Sequence, residues 1–200
     1  DIVETALLMQ GLLIARQYFS DTNTEETEIR SRITVLWEAV EWTWYTQGQN
    51  KITWHWSPTH NFDKDLDVSG WNESLIVYVL AAASPTFTIS NDVYNEGWTG
   101  NGAMVNTGTF YDLFLPLGEN FGGPLFFSHY SFIGLDPRNL TDQYTNYFNQ
   151  NKAHSLINYE HSVKNSMFGS GQSIRHCSIP NFIVELNFCY VSMGSMKEHL

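Results

Sequence analysis

Apolar positions recur at helical spacing from the first residues onward: Val3, Ala6, Leu7, Leu13 and Ile14, with Tyr18 and Phe19 closing the run. This stripe predicts an amphipathic helix over residues 1–20. Gly11 inside it costs about 1 kcal/mol relative to Ala and points to close packing by a neighbour. Thr24 is the expected N-cap of a second helix, with Glu25 and Glu26 in its first turn complementing the dipole. That helix is expected to run to about Tyr45 through Ile29, Ile33, Leu36, Trp37 and Val40, giving an αα-hairpin. After a turn at 47–50, Lys51 to Trp56 alternates like a short strand. The unbroken apolar run Leu75 to Ala83 calls for burial on every side. It predicts a third helix from about Trp71 to Ser84, capped by Ser69 or Asn72 and stopped by Pro85. From Asn91 to Phe132 the chain is rich in Gly, Asn and aromatics, a long loop of the kind that carries function. A last helix, started by Thr141 or Asp142, carries Tyr144, Tyr147, Phe148 and Leu156 to about Val163. Beyond Asn165 a Ser-punctuated stretch lacks periodicity, and only Ile179 to Tyr190 is apolar enough to be ordered. No repeat or linker marks a boundary, so residues 1–200 read as one domain with an atypical tail over 165–200.

Composition narrows the chemistry. The chain carries 21 acidic and 10 basic residues, a net charge of −11, which disfavours nucleic acid or an anionic membrane as partner. No apolar stretch is long enough to span a bilayer. Cys177 and Cys189 alone make neither a disulfide framework nor a metal spacing. There are 7 Trp, 10 Tyr and 13 Phe, and many of them fall in segments dense with Gly, Asn, His and Ser, where an aromatic face suits a pyranose ring. Asp1 to Glu4 already lie in a helical pattern with no Met, leader or cap ahead. The chain is therefore expected to be a fragment.

Glu73 is the leading candidate for chemistry. It stands at the mouth of the apolar helix, after Trp54-His55-Trp56 and beside Trp71. A carboxyl there is suited to meet a glycosidic oxygen. A helix N-terminus lowers a carboxyl pKa whereas a general acid needs it raised, so desolvation by the rings has to win. Asp1 and Glu4, three apart, share a face of the first turn, which also suits a plain charge–dipole role. Glu38 and Glu41 read as a solvated face. Asp63, Asp65 and Asp67 lack the Gly and Glu of a calcium loop, and His154 and His161 have no carboxylate partner of metal type. The Gly pairs lack the Lys-Ser/Thr of a phosphate loop and read as turns. No metal or cofactor is expected.

A set of motifs, in order along residues 1–165, is similar to the bacterial glucoamylase-like family, which includes the endo-β-1,2-glucanases of glycoside hydrolase family 144. They are Asp1-Ile2-Val3-Glu4-Thr5-Ala6, Leu36-Trp37-Glu38-Ala39-Val40-Glu41-Trp42, Trp54-His55-Trp56-Ser57-Pro58, Trp71-Asn72-Glu73-Ser74-Leu75, Gly123-Pro124-Leu125-Phe126-Phe127-Ser128-His129-Tyr130 and Gly134-Leu135-Asp136-Pro137-Arg138. The resemblance implies an all-α fold, an (α/α)6 toroid with a central glucan cleft, here incomplete, with a small β-hairpin and long aromatic loops. It implies inverting hydrolysis of β-1,2-glucan by a monomer in a periplasmic or secreted setting. It puts Glu73 as the acid, with Asp1 or Glu4 binding substrate or orienting a water. Trp54, His55, Trp56, Trp71, His129 and Tyr130 would line the subsites. About five helices stand where the family fold needs twelve, and the family's continuation is not recognisable after Asn165, as a frameshift or deletion would produce.

Other classes leave different signatures. A glycosyl-transferring domain of the cyclic β-1,2-glucan synthase type would yield cyclic or elongated products. A non-catalytic glucan-binding protein would keep the aromatic platform and not need Glu73. A helical structural module would have no use for Trp residues in loops.

Overall fold

The computed structural model describes residues 1–64 and 66–166. Asp65 and the expectations placed on Met167 to Tyr190 lie outside the described residues. Five α-helices occur among the described residues: α1 (Ile2–Tyr18), α2 (Thr24–Glu38), α3 (Leu75–Ala83), α4 (Phe126–His129) and α5 (Tyr147–Ser166). A two-stranded antiparallel hairpin, β1 (Thr109–Phe110) and β2 (Leu113–Phe114), accompanies them. The fold is thus mostly helical with one small sheet. No helix of the described residues is long and apolar enough to cross a membrane.

The hydrophobic run becomes the centre of the core. Every residue from Leu75 to Ala81 is buried, and α3 packs on α1 through Ile2, Val3, Ala6, Met9 and Leu13. Burying side chains of this size supplies about 1.5–3 kcal/mol each, which explains why a nine-residue helix with no charged residue is stable here. Tyr78 pins it to the aromatic segment. Its hydroxyl donates to Val68 O (2.7 Å) and accepts from Ile52 N–H (3.3 Å), and burial pushes the phenol well up.

Several boundaries differ from the sequence expectation, each for a local reason. Asp1 is itself the cap of α1: Oδ1 accepts from Val3 N–H and Glu4 N–H. Asn23, rather than Thr24, caps α2 by accepting Glu26 N–H (2.8 Å). The second helix stops at Glu38, seven residues early, and Trp42–Thr46 turns as a separate 3₁₀ segment so that Trp42 can bury fully beside Trp37. A Cβ on Gly11 would meet nothing within 4 Å, so no close neighbour explains that glycine. Lys51 to Trp56 forms no regular strand. It is extended, with Trp54 N–H to Leu66 O and Val68 N–H to Ile52 O, but pairs only at Thr53 with Asp67. Regular pairing appears at β1–β2 instead, around Tyr111 and Asp112 at φ +54 and +63. These are the left-handed values of a tight hairpin turn, reached without the usual Asn-Gly. Finally, α5 begins at Tyr147 because Asp142 folds the preceding chain into a turn. Its Oδ1 accepts Tyr144 N–H and Thr145 N–H while Oδ2 holds the Tyr94 and Tyr147 hydroxyls.

Candidate active site

A pocket of ≈ 260 Å³ opens between the start of α1, the turn before α3 and the α4 segment. It is lined by Asp1, Val3, Glu4, Leu7, Trp54, Glu73, Phe126 and Tyr130. All three candidate carboxylates therefore meet in one place, although Glu73 is 69 residues from Glu4 in sequence. Helix α1 supplies one wall. Its N-terminus is tied to the aromatic segment by Ile2 N–H to Trp54 O (3.1 Å).

The carboxylates are not equivalent. Asp1 Oδ1 is occupied by two backbone N–H groups of α1. Its Oδ2 accepts from Trp54 Nε1 (3.0 Å), with His55 Nδ1 at 3.2 Å. Three N–H donors and the adjacent His55 ring leave this carboxylate little capacity for a ligand. Asp1 thereby fixes the Trp54 ring against the pocket. Glu4 and Glu73 have no hydrogen-bond or ion-pair partner for their carboxylates among the described residues. Glu4 is exposed and Glu73 half-buried.

Glu73 does not lie in the first helical turn as expected. Asn72 Oδ1 accepts Ser74 N–H (2.9 Å) and Asn72 Nδ2 donates to Ser69 O (3.1 Å). This turn delays the helix until Leu75 and leaves Glu73 outside it.

The aromatic residues divide into those that face the pocket and those that stand behind it. Trp54 and Tyr130 line it. His55 touches it only through Asp1. Trp56 lies in a neighbouring cluster, edge-on to Trp44 (5.1 Å), which also holds Phe62. Trp71, expected as a subsite residue, is 6% exposed and stacks on Tyr147 at 5.7 Å. His129 turns to α5, where its Nε2 donates to Ser155 Oγ (3.0 Å), since that hydroxyl gives its own proton to Asn151 O. Neither Trp71 nor His129 lines the pocket. Phe126, Val3 and Leu7 do, and sequence reasoning did not name them as site residues. The available signal was spacing. Phe126 and Tyr130 are four apart, so their rings share a face, 5.5 Å between centroids.

Behind the pocket runs a hydrogen-bond chain whose direction is fixed by its ends. His154 Nε2 must donate to Gly123 O (2.9 Å), so Nδ1 accepts from Ser128 Oγ, which in turn accepts from Trp71 Nε1 (3.2 Å). His154 is fully buried. Burial lowers its pKa, against the opposing bond to Gly123. His129 is lowered too, first by burial and then by His154. Both histidines thus favour the neutral form when folded, while unfolded they titrate near about 6.5. Stability is complete above that pH and is lost as pH falls through it, because the unfolded chain binds protons first. Thermal melts between about pH 7 and about pH 5 should show a falling midpoint, at up to about 1.4 kcal/mol per pH unit per histidine. A flat profile over that interval would refute this assignment.

Comparison with known proteins gives the family. The Glycoamylase family model, a glucoamylase description, matches residues 65–170. An exo beta-1,2-glucooligosaccharide sophorohydrolase (non-reducing end) of Parabacteroides distasonis is 42% identical over 184 residues, covering 82% of this chain and 26% of the relative. An endo-beta-1,2-glucanase of Chitinophaga pinensis, solved with sophorotriose and glucose, superposes with a TM-score of 0.82 at 46% identity, covering 86% of this chain and 42% of that one. A beta-1,2-glucanase of Parabacteroides distasonis gives 0.82 at 40% identity, covering 86% and 28%. The chain spans about a quarter of the curated relative and less than half of either solved one. With the family match extending over more than half of its length, and with the motifs of Trp71–Leu75 and Gly123–Tyr130 inside that match, this chain belongs to the glucoamylase-like (Glycoamylase) family.

Proposed function

We propose that the chain forms the acid-bearing part of a glycoside hydrolase acting on β-1,2-glucan, with its helices making one arc of an (α/α)6 toroid. The observation that carries this is the pairing of Glu4 and Glu73, whose carboxylates have no partner among the described residues, with the Trp54 and Tyr130 rings in one pocket. Glucosyl rings present apolar C–H faces to the aromatics, and the carboxyls handle the proton. In the inverting scheme Glu73, as acid, protonates the glycosidic oxygen. A second carboxylate activates a water on the opposite face of the sugar, about 6.5–9.5 Å from the first. Glu4 suits the water side, since Asp1 is committed to holding Trp54 and the helix end. The relatives named for β-1,2-linked substrates support the linkage. The toroid reading is supported by those same neighbours and by apolar side chains left outward on α1 and α2: Leu8 at 62%, Val35 at 63% and Leu36 at 53% exposure.

The test is product analysis on linear β-1,2-glucan. Short β-1,2-linked oligosaccharides with inverted anomeric configuration are the expected result. Sophorose alone would indicate exo action and a ladder endo action, a distinction on which the named relatives themselves differ. Cyclic or elongated products would replace hydrolysis by transfer, and binding without any turnover would make the pocket a lectin-like site.

A further inference from the structure

Among the described residues the Glu73 carboxylate has no partner, so its place has to be set through its backbone. One buried point does this. Ser131 Oγ donates to Glu73 O (2.7 Å) and accepts from Ile76 N–H (3.0 Å). The directions are unambiguous because a carbonyl only accepts and an amide only donates. Ser131 O in turn accepts from Gln10 Nε2 (2.7 Å). Ser131 is fully buried and Gln10 is 2% exposed. Gly134 leaves the space: a Cβ there would stand 3.0 Å from Gln10 Cγ and 2.8 Å from Ile14 Cδ1.

We infer that Ser131, backed by Gln10, is the positioning residue that holds Glu73 against the α1 wall of the pocket. This rests on the reading of Glu73 as the acid. Three walls converge on the clasp. Gln10 lies on α1, the helix that carries Glu4. Ser131 follows Tyr130, a lining residue. Glu73 precedes α3, whose own N-cap residue, Ser74, makes no side-chain cap bond. Ser131 supplies that cap from 55 residues away along the chain and bonds the Glu73 carbonyl with the same hydroxyl. Removing the hydroxyl strands a buried N–H and a carbonyl together. The turn then relaxes, and the acid moves relative to the bond it must protonate. Misplacement on the order of 1 Å can cost about 100-fold in rate.

The test compares Ser131→Ala, Ser131→Thr and Gln10→Leu in the intact protein. It reads kcat and KM on linear β-1,2-glucan and the ¹³C chemical shift of the Glu73 carboxyl at fixed pH. Ser131→Ala should lower kcat by about 10–100-fold, leave KM within about two-fold, and move the ¹³C resonance of the Glu73 carboxyl. Ser131→Thr, which keeps the hydroxyl, should recover most of the rate. Gln10→Leu should reproduce the effect more weakly, and it carries the test if Ser131→Ala does not fold. Ile33→Ala, in the α2 core away from the pocket, controls for lost stability. The inference is overturned if Ser131→Ala loses no more kcat than Ile33→Ala, or if the Glu73 carboxyl resonance stays put in both clasp variants. Should the parent show no turnover, the acid reading fails separately. The carboxyl resonance alone then decides the clasp, a displacement supporting it and none overturning it.

Discussion

Glu73→Gln should abolish most hydrolysis of β-1,2-glucan, lowering kcat by about 10²–10⁴-fold, the usual contribution of a general acid. The substitution keeps the shape of the side chain and leaves the Ser131 bond to the residue 73 carbonyl intact. It removes only the proton that the leaving oxygen needs. KM should stay near the parent value, because the Trp54 and Tyr130 faces are untouched. The melting temperature should hardly change, since no group among the described residues bonds that carboxylate. A second substrate sharpens the test. An aryl β-sophoroside with an acidic phenol leaving group needs little protonation, so the mutant should lose far less on it than on glucan. Equal losses on both substrates would remove Glu73 from the acid role and leave it a binding residue.

Gly122→Ala should destabilise the protein by roughly 3 kcal/mol or more and take the pocket with it. Gly122 sits at φ +91, where an L side chain is strained at a cost of about 1–2 kcal/mol. Its Cβ would also overlap Cδ2 and Nε2 of His154, a fully buried ring with nowhere to move. Overpacking of this kind costs about 1–3 kcal/mol in addition. Displacing His154 breaks its bond to Gly123 and unseats Ser128 and Trp71 in turn. Since Ser128 lies on α4 between Phe126 and Tyr130, the aromatic face of the pocket should loosen as well. Gly11→Ala is the natural contrast. Its Cβ enters open space within a helix, so it should be neutral or stabilise by up to about 1 kcal/mol. Chemical denaturation of the two variants side by side checks both. A Gly122→Ala protein as stable as the parent would mean that His154 is not held as described.

The apolar run Leu75–Ala83 announces its own burial, and the α1 and α2 stripes announce an αα-hairpin. The positions of these helices were legible because periodicity reports which face must leave water. Their ends were not. Asn23, Asn72, Asp142 and Ser131 decide where α2, α3 and α5 begin, and each acts through a side-chain bond to a particular backbone group. Only Ser131 reaches in from elsewhere in the chain, and no local window contains its bonds. The β1–β2 turn was hidden for a related reason: Tyr111 and Asp112 adopt left-handed values without the glycine that normally signals them.

The sequence by itself determined the residue types of the site: carboxylates at 1, 4 and 73 and a surplus of rings nearby. Residue type and spacing within one helix turn are local properties, and motif resemblance named the family from them. Only the tertiary structure decided the division of labour. Asp1 became a scaffold because three N–H donors and the His55 ring surround its oxygens. Trp71 and His129 moved behind the wall because Ser128 and Ser155 offered their ring nitrogens partners. Phe126 came forward because a four-residue helix aligned it with Tyr130. Which polar atom finds a partner, and which is left facing the pocket, depends on contacts between segments distant in sequence, and those exist only once the chain has packed.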